Sequence, residues 1–91
     1  MELKWTNKAL SDLARLHEFL APMNPLAAAR TVQSLTTALV NLLQNPRIGE
    51  KLEEFDPREV RRMLVGHYDI RYEIQGATVY VLRIWHTRED R

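Results

Sequence analysis

The chain has 91 residues, no cysteine, 45% hydrophobic and 27% charged residues, and a formal net charge of +1. That composition is ordinary for a globular domain, and it excludes disulfides, thiolate chemistry and the large positive charge of a polycationic nucleic-acid binder. No apolar run approaches the ~18 residues of a membrane span, and the mixed acid and base of MELKWTNKAL is not a secretory leader, so a single cytoplasmic domain over residues 1–91 is expected.

ELKW, residues 2–5, alternates polar and apolar and reads as a short strand. Thr6 or Asn7 can cap a following helix, because either side-chain oxygen can accept from a free N–H of the first turn. In KALSDLARLHEFL the residues Ala9, Leu13, Leu16 and Leu20 recur at helical spacing, with Lys8, Asp12, Arg15 and Glu18 largely off the stripe. Pro22 ends this helix near Leu20 or Ala21. Asn24-Pro25 opens a second helix, a cap followed by proline at the first helical position. Its stripe is Ala28, Val32, Leu35, Leu39 and Leu42, and it stops at Asn45-Pro46. Arg30 is its one charge, which predicts heavy burial between the first helix and a sheet. The turn between the helices is short enough to make them an antiparallel hairpin.

NPRIGEKLEEFDP reads as a loop, acidic over residues 49–56. A strand over 58–65 and a turn at Gly66-His67 follow. Tyr68, Ile70, Tyr72 and Ile74 then alternate with Asp69, Arg71 and Glu73 in the clearest strand of the chain. Gln75-Gly76-Ala77 is a hairpin turn into TVYVLRIW. A three-residue loop with a glycine bulge would pair Ile74 with Thr78, Tyr72 with Tyr80, Ile70 with Leu82 and Asp69 with Arg83. That register is expected over the pairing of Ile74 with Ala77, because it collects one continuous apolar face.

The order strand, helix, helix, strand, strand, strand is an α+β domain, with a helical hairpin on one face of a mostly antiparallel sheet. In the expected register the other face is open and carries Arg71, Val79, Val81, Arg83 and Trp85. Arginines interleaved with valines and a tryptophan suit a surface that a partner covers.

VRRMLVGHYDIRYEIQGATVYVLRIWHTRED, following a helix that ends in NPRIG, resembles the RelE/ParE toxins of bacterial toxin–antitoxin modules over essentially the whole chain. The resemblance implies that fold and a cognate antitoxin as partner. RelE-like members cleave mRNA in the ribosome; ParE-like members inhibit DNA gyrase without using the nuclease site. Cleavage needs a base for the ribose 2′-hydroxyl, cations for the phosphorane and an acid for the leaving oxygen. Carried onto this chain, the basic positions are Arg62 and Arg88, with His86 as base or acid. The arginine expected near the start of the next strand is Asp69 here, and the usual tyrosine beyond the last strand has no counterpart.

These departures favour a ParE-like gyrase inhibitor over a RelE-like mRNA endonuclease. The face bearing Arg71, Val79, Val81, Arg83 and Trp85 is the expected antitoxin surface, with Trp85 as its anchor. A small interaction domain without toxicity is the reading outside the toxins. His17 and His67 read as solvated. No spacing of His or acids suggests a metal, and no glycine loop suggests a phosphate-bearing cofactor, so neither metal nor small-molecule cofactor is expected.

Overall fold

The computed structural model describes residues 1–89; residues 90 and 91 of the expected domain lie outside the described part. Each helix begins where a side chain satisfies a free N–H of the first turn. The Thr6 hydroxyl accepts from the Ala9 N–H ahead of α1, Asn7–Leu20, and the Asn24 side chain accepts from the Ala27 N–H ahead of α2, Pro25–Leu42. Ala9 and Leu16 of α1 and Ala28, Leu35, Leu39 and Leu42 of α2 are buried. The scarcity of charge on α2 is not a sign of burial all round: Leu26 and Val40 are exposed.

The strands are β1 Glu2–Trp5, β2 Glu50–Lys51, β3 Glu59–Val65, β4 Tyr68–Gln75 and β5 Thr78–His86. They form one sheet in the order β1-β5-β4-β3-β2, with β1 parallel to β5 and the other pairings antiparallel. The segment expected as a loop thus contributes an edge strand and a 3-10 turn, Glu53–Phe55. The helical hairpin packs on one face. Leu16, Leu35, Leu39 and Leu42 meet Ile70, Tyr72, Ile74, Val79, Val81 and Ile84 in one core, which makes the fold the α+β arrangement read from the sequence.

The β4–β5 register corrects the expected one. The loop is two residues, with Gly76 at φ +57 and Gln75 paired with Thr78, so that only its first position needs the left-handed region that glycine supplies. Ile74 therefore faces Val79, and Tyr72 faces Val81. A bulge then shifts the register, and Arg71 faces Arg83, Ile70 faces Ile84 and Asp69 faces Trp85. An extra residue inverts the facing of everything beyond it. Val79, Val81 and Ile84 consequently all point into the core, while Arg83 and Trp85 turn to the other side. Val79 and Val81, assigned to the open face from the sequence, are fully buried beneath the hairpin.

That other face is not open either. Val60, Asp69, Glu73 and Trp85 on it are buried, covered by arginine side chains and by Phe55.

The NPRIG turn is pinned from below. The buried Tyr72 hydroxyl donates to the Pro46 carbonyl at 2.7 Å and accepts from the Gly49 N–H at 3.0 Å. Burial raises the Tyr72 phenol above its ordinary pKa, so it remains a donor throughout the physiological range.

Candidate functional site

On the face away from the helices, Glu50, Arg62, Arg71 and Arg83 stand in one row across β2, β3, β4 and β5. Arg62 lies 3.2 Å from Asp69 and 3.8 Å from Glu50. Arg58 holds Glu73 with two bonds of 2.7 and 3.1 Å, and that guanidinium keeps the Glu73 carboxyl below its ordinary pKa against the opposing effect of burial. Arg71 lies 5.4 Å from the Phe55 ring centroid and 4.9 Å from that of Trp85, and Arg83 lies 4.8 Å from that of Trp85. The result is a ladder of Phe55, Arg71, Trp85 and Arg83. Guanidinium is planar and weakly hydrated, so it covers aromatic faces at low desolvation cost. Phe55 belongs to the candidate surface and was missed; its one sequence signal is being a lone aromatic in an acidic loop.

The outer end of the ladder is fixed by α1. β1 pairs only with Thr78–Val81, so β5 from Leu82 onward has no strand outside it. Side chains of the helix take that place. The Thr6 hydroxyl donates to the Val81 carbonyl, Asp12 accepts from the Ile84 N–H at 2.9 Å, and Arg15 donates to the Ile84 carbonyl at 3.2 Å. Asp12 also accepts twice from Arg83, at 2.7 and 3.1 Å, and once from Arg15 at 3.2 Å. Burial pushes the Asp12 carboxyl up, but Arg83, the Ile84 N–H and Arg15 together outweigh it and hold it below its ordinary pKa. Nothing in the sequence distinguishes Asp12 from a solvated helix acid.

The second neighbourhood is a groove of about 560 Å³ on the helical side, where α1 passes the end of β5. Leu16, Phe19 and Tyr68 form its apolar wall; Arg15, His86 and Arg88 supply the polar groups. The Arg88 N–H donates to His86 Nδ1 at 3.1 Å, which leaves the proton of the neutral ring on Nε2. The ring meets Tyr68 edge-on at 5.3 Å and stacks with His67 at 6.0 Å. Glu89 accepts from the His86 N–H at 2.8 Å and forms an ion pair with Arg15, tying the chain beyond β5 back to α1. Arg15 keeps the Glu89 carboxyl below its ordinary pKa.

The structure brings His86 and Arg88 together but not Arg62. His86 pairs with Tyr68, whose side chain packs against the core on the helical side, whereas Arg62 pairs with Arg71 on the opposite face. Their rows are three residues apart, about 10 Å along the strands, and two strands apart, about 10 Å across. Among the described residues no group of three or more His, Cys, Asp or Glu is placed to hold a metal ion.

These ion pairs set the acid limit of stability. Glu73, Glu89 and Asp12 all have lowered folded-state pKa values. Their contribution is therefore complete above the unfolded values, 4.5 for glutamate and 3.8 for aspartate, and is lost as pH falls through the folded ones. Thermal melts are expected to be level from neutrality to about pH 5 and to fall steeply below 4.5. Glu73→Gln should flatten part of that fall. An unchanged acid limb in this variant would remove Glu73 from the account.

The family model of the ParE toxin of type II toxin–antitoxin systems, parDE, matches residues 3–91. The chain belongs to this ParE toxin family. Among proteins, Toxin RelE2 of Caulobacter vibrioides is 34% identical over 85 residues, 93% of each chain, and Toxin RelE1 of the same organism is 36% identical over 85 residues, 92% of this chain and 90% of that one. A solved structure of the chromosomal ParDE toxin–antitoxin system of P. aeruginosa superposes with a TM-score of 0.78 at 26% identity, covering 94% of this chain and 95% of the other. The toxin–antitoxin complex RelBE2 of Mycobacterium tuberculosis gives 0.60 at 27% identity, covering 93% and 88%. The ParE/RelE superfamily read from the VGHYDIRYEI and VLRIWHTRED segments is therefore the right one, and the two-helix, five-strand architecture is that of these neighbours. Among the described residues no helix is long and apolar enough to cross a membrane.

Proposed function

We propose that this ParE-family toxin acts by binding DNA gyrase and is neutralised by a cognate antitoxin. The observation that carries the reading is the separation of the nuclease residues. Arg62 lies on one face of the sheet, engaged by Asp69 and Glu50, while His86 and Arg88 lie at the other face. Phosphoryl transfer needs base, acid and cations converging on one phosphate within hydrogen-bond reach. With strand positions about 14 Å apart and side chains on opposite faces of the sheet, Arg62 and His86 do not converge on one phosphate. An acid beside Arg62 further offsets the positive charge that a phosphorane requires. The antitoxin part of the reading is supported by the solved neighbours, which are toxin–antitoxin systems.

The RelE-named relatives favour a second reading, ribosome-dependent mRNA cleavage, with His86 and Arg88 as its local pair. Two assays on purified protein separate them: gyrase supercoiling, and cleavage of mRNA during translation in vitro. Inhibition of supercoiling without cleavage is expected. In cells, His86→Ala should arrest growth as the wild type does. Loss of arrest in His86→Ala and in Arg88→Ala, with the fold intact, would transfer the function to the nuclease reading.

A further inference from the structure

Arg71 differs from the other arginines of its face. Arg58 is matched by Glu73, Arg62 by Asp69 and Glu50, and Arg83 by Asp12. Arg71 has no ion pair or hydrogen bond among the described residues, and its Nε is buried with no hydrogen-bond partner. Its contacts are the rings of Phe55 and Trp85. Aromatic contact engages the faces of a guanidinium. The N–H donors lie in its plane; with Nε buried, the two Nη groups at its end are the edge left for an acceptor. A half-buried cation, oriented by its walls and with no ion pair among the described residues, is poised for one planar acceptor.

From this geometry we infer that Arg71 is a receptor for a single carboxylate, carried by an acidic side chain of the antitoxin segment that covers this face. The inference rests on the antitoxin reading above. The pairing selects the occupant. Arg58, Arg62 and Arg83 each have a carboxylate of their own, so among the described residues Arg71 is the one arginine of this group without an ion pair, whereas a nucleic-acid strand is held by several unpaired cations, one for each phosphate neutralised. One carboxylate satisfies one guanidinium through two parallel bonds. The apolar walls at Phe55 and Trp85 exclude water from the pair and strengthen it. This changes what the face offers a partner. With Val79 and Val81 in the core and Trp85 nearly buried, it offers a charge socket with aromatic sides and little apolar area.

The test uses the 91-residue protein and its cognate antitoxin, with affinities measured at two salt concentrations for wild type, Arg71→Gln and Arg71→Lys. Thermal melts confirm that each variant is folded; Arg71→Lys retains the charge and the aliphatic stem if Arg71→Gln does not fold. Both variants are expected to bind about 10- to 100-fold more weakly, since lysine cannot supply two coplanar donors. One Asp→Asn or Glu→Gln change in the antitoxin should give the same loss and add nothing in combination with Arg71→Gln. Binding of either variant within twofold of wild type overturns the proposal while leaving the antitoxin reading in place. So does an unchanged antitoxin affinity with a lost affinity for single-stranded RNA. Failure of the wild type to bind overturns the antitoxin reading itself, and the proposal with it.

Discussion

Asp12→Ala is expected to destabilise the protein by about 3 kcal/mol, lowering its melting temperature by roughly 12–24 °C for a domain of this size. The carboxylate is buried and takes part in the Ile84 N–H bond, the two-point Arg83 pair and the Arg15 pair. Removing it leaves a buried N–H without an acceptor, at about 1–3 kcal/mol. Arg83 and Arg15 lose a partner but stay partly hydrated, which keeps the total at the lower end for a broken buried pair. Asp12→Asn should fall between wild type and Asp12→Ala, because the amide oxygen can still accept from Ile84. The effect should also reach the binding face. Arg83 unpinned from Asp12 is free to leave the Trp85 ring, so Asp12→Asn is expected to weaken any partner of the Arg71 ladder without touching it. A melting-temperature change below about 4 °C in Asp12→Ala would show that the free edge of β5 is held by something else.

The second large effect is expected at Gly49. A Cβ there would lie 2.4 Å from the Tyr72 hydroxyl oxygen and 2.7 Å from the Arg62 carbonyl oxygen. Tyr72 is in the centre of the core and its hydroxyl already bridges Pro46 and Gly49, so it cannot yield without losing both bonds. Gly49→Ala should therefore cost about 2–3 kcal/mol, measured by urea unfolding with a linear extrapolation. Tyr72→Phe removes the clash with the hydroxyl but leaves the backbone contact at Arg62, so the double variant should not recover. A Gly49→Ala protein as stable as wild type would mean that the turn after α2 moves freely relative to β3. The next residue, Glu50, pairs with Arg62 across β2 and β3, which ties this turn to the charged row on the far face.

The elements legible in the sequence were those with a local signal. Thr6 and Asn24 announce their helices through side-chain acceptors. Tyr68 to Ile74 announces its strand through strict alternation, which one buried face imposes. The register of β5 was not legible, because Val79 to Trp85 is nearly continuous in apolar residues apart from Arg83. Such a run fits under the helices in either facing, and the bulge after Val81 decides it. The bulge is held in place by Asp12 and Thr6, more than 70 positions away. No local pattern encodes a contact of that range. The same reason hid the covered state of the far face, since Phe55 reaches Arg71 through the fold. Of the candidate binding residues, Arg71, Arg83 and Trp85 share a face as expected, while Val79 and Val81 do not.

The parallel pairing of β1 with β5 also has a consequence in time. Glu2 is joined to Thr78 and Trp5 to Val81, so the first strand made must wait for nearly the last. At synthesis rates of about 5–20 residues per second, that wait is on the order of 4–15 s. During it the two helices exist without the sheet they cover, and neither the Asp12 contacts with β5 nor the Arg71 ladder has formed. Local pairing of β3, β4 and β5 can proceed first, and closure of the long loop to β1 comes afterwards. A partner that recognises the finished surface therefore meets nothing to bind on the growing chain, and inhibition begins only after β5 has been made.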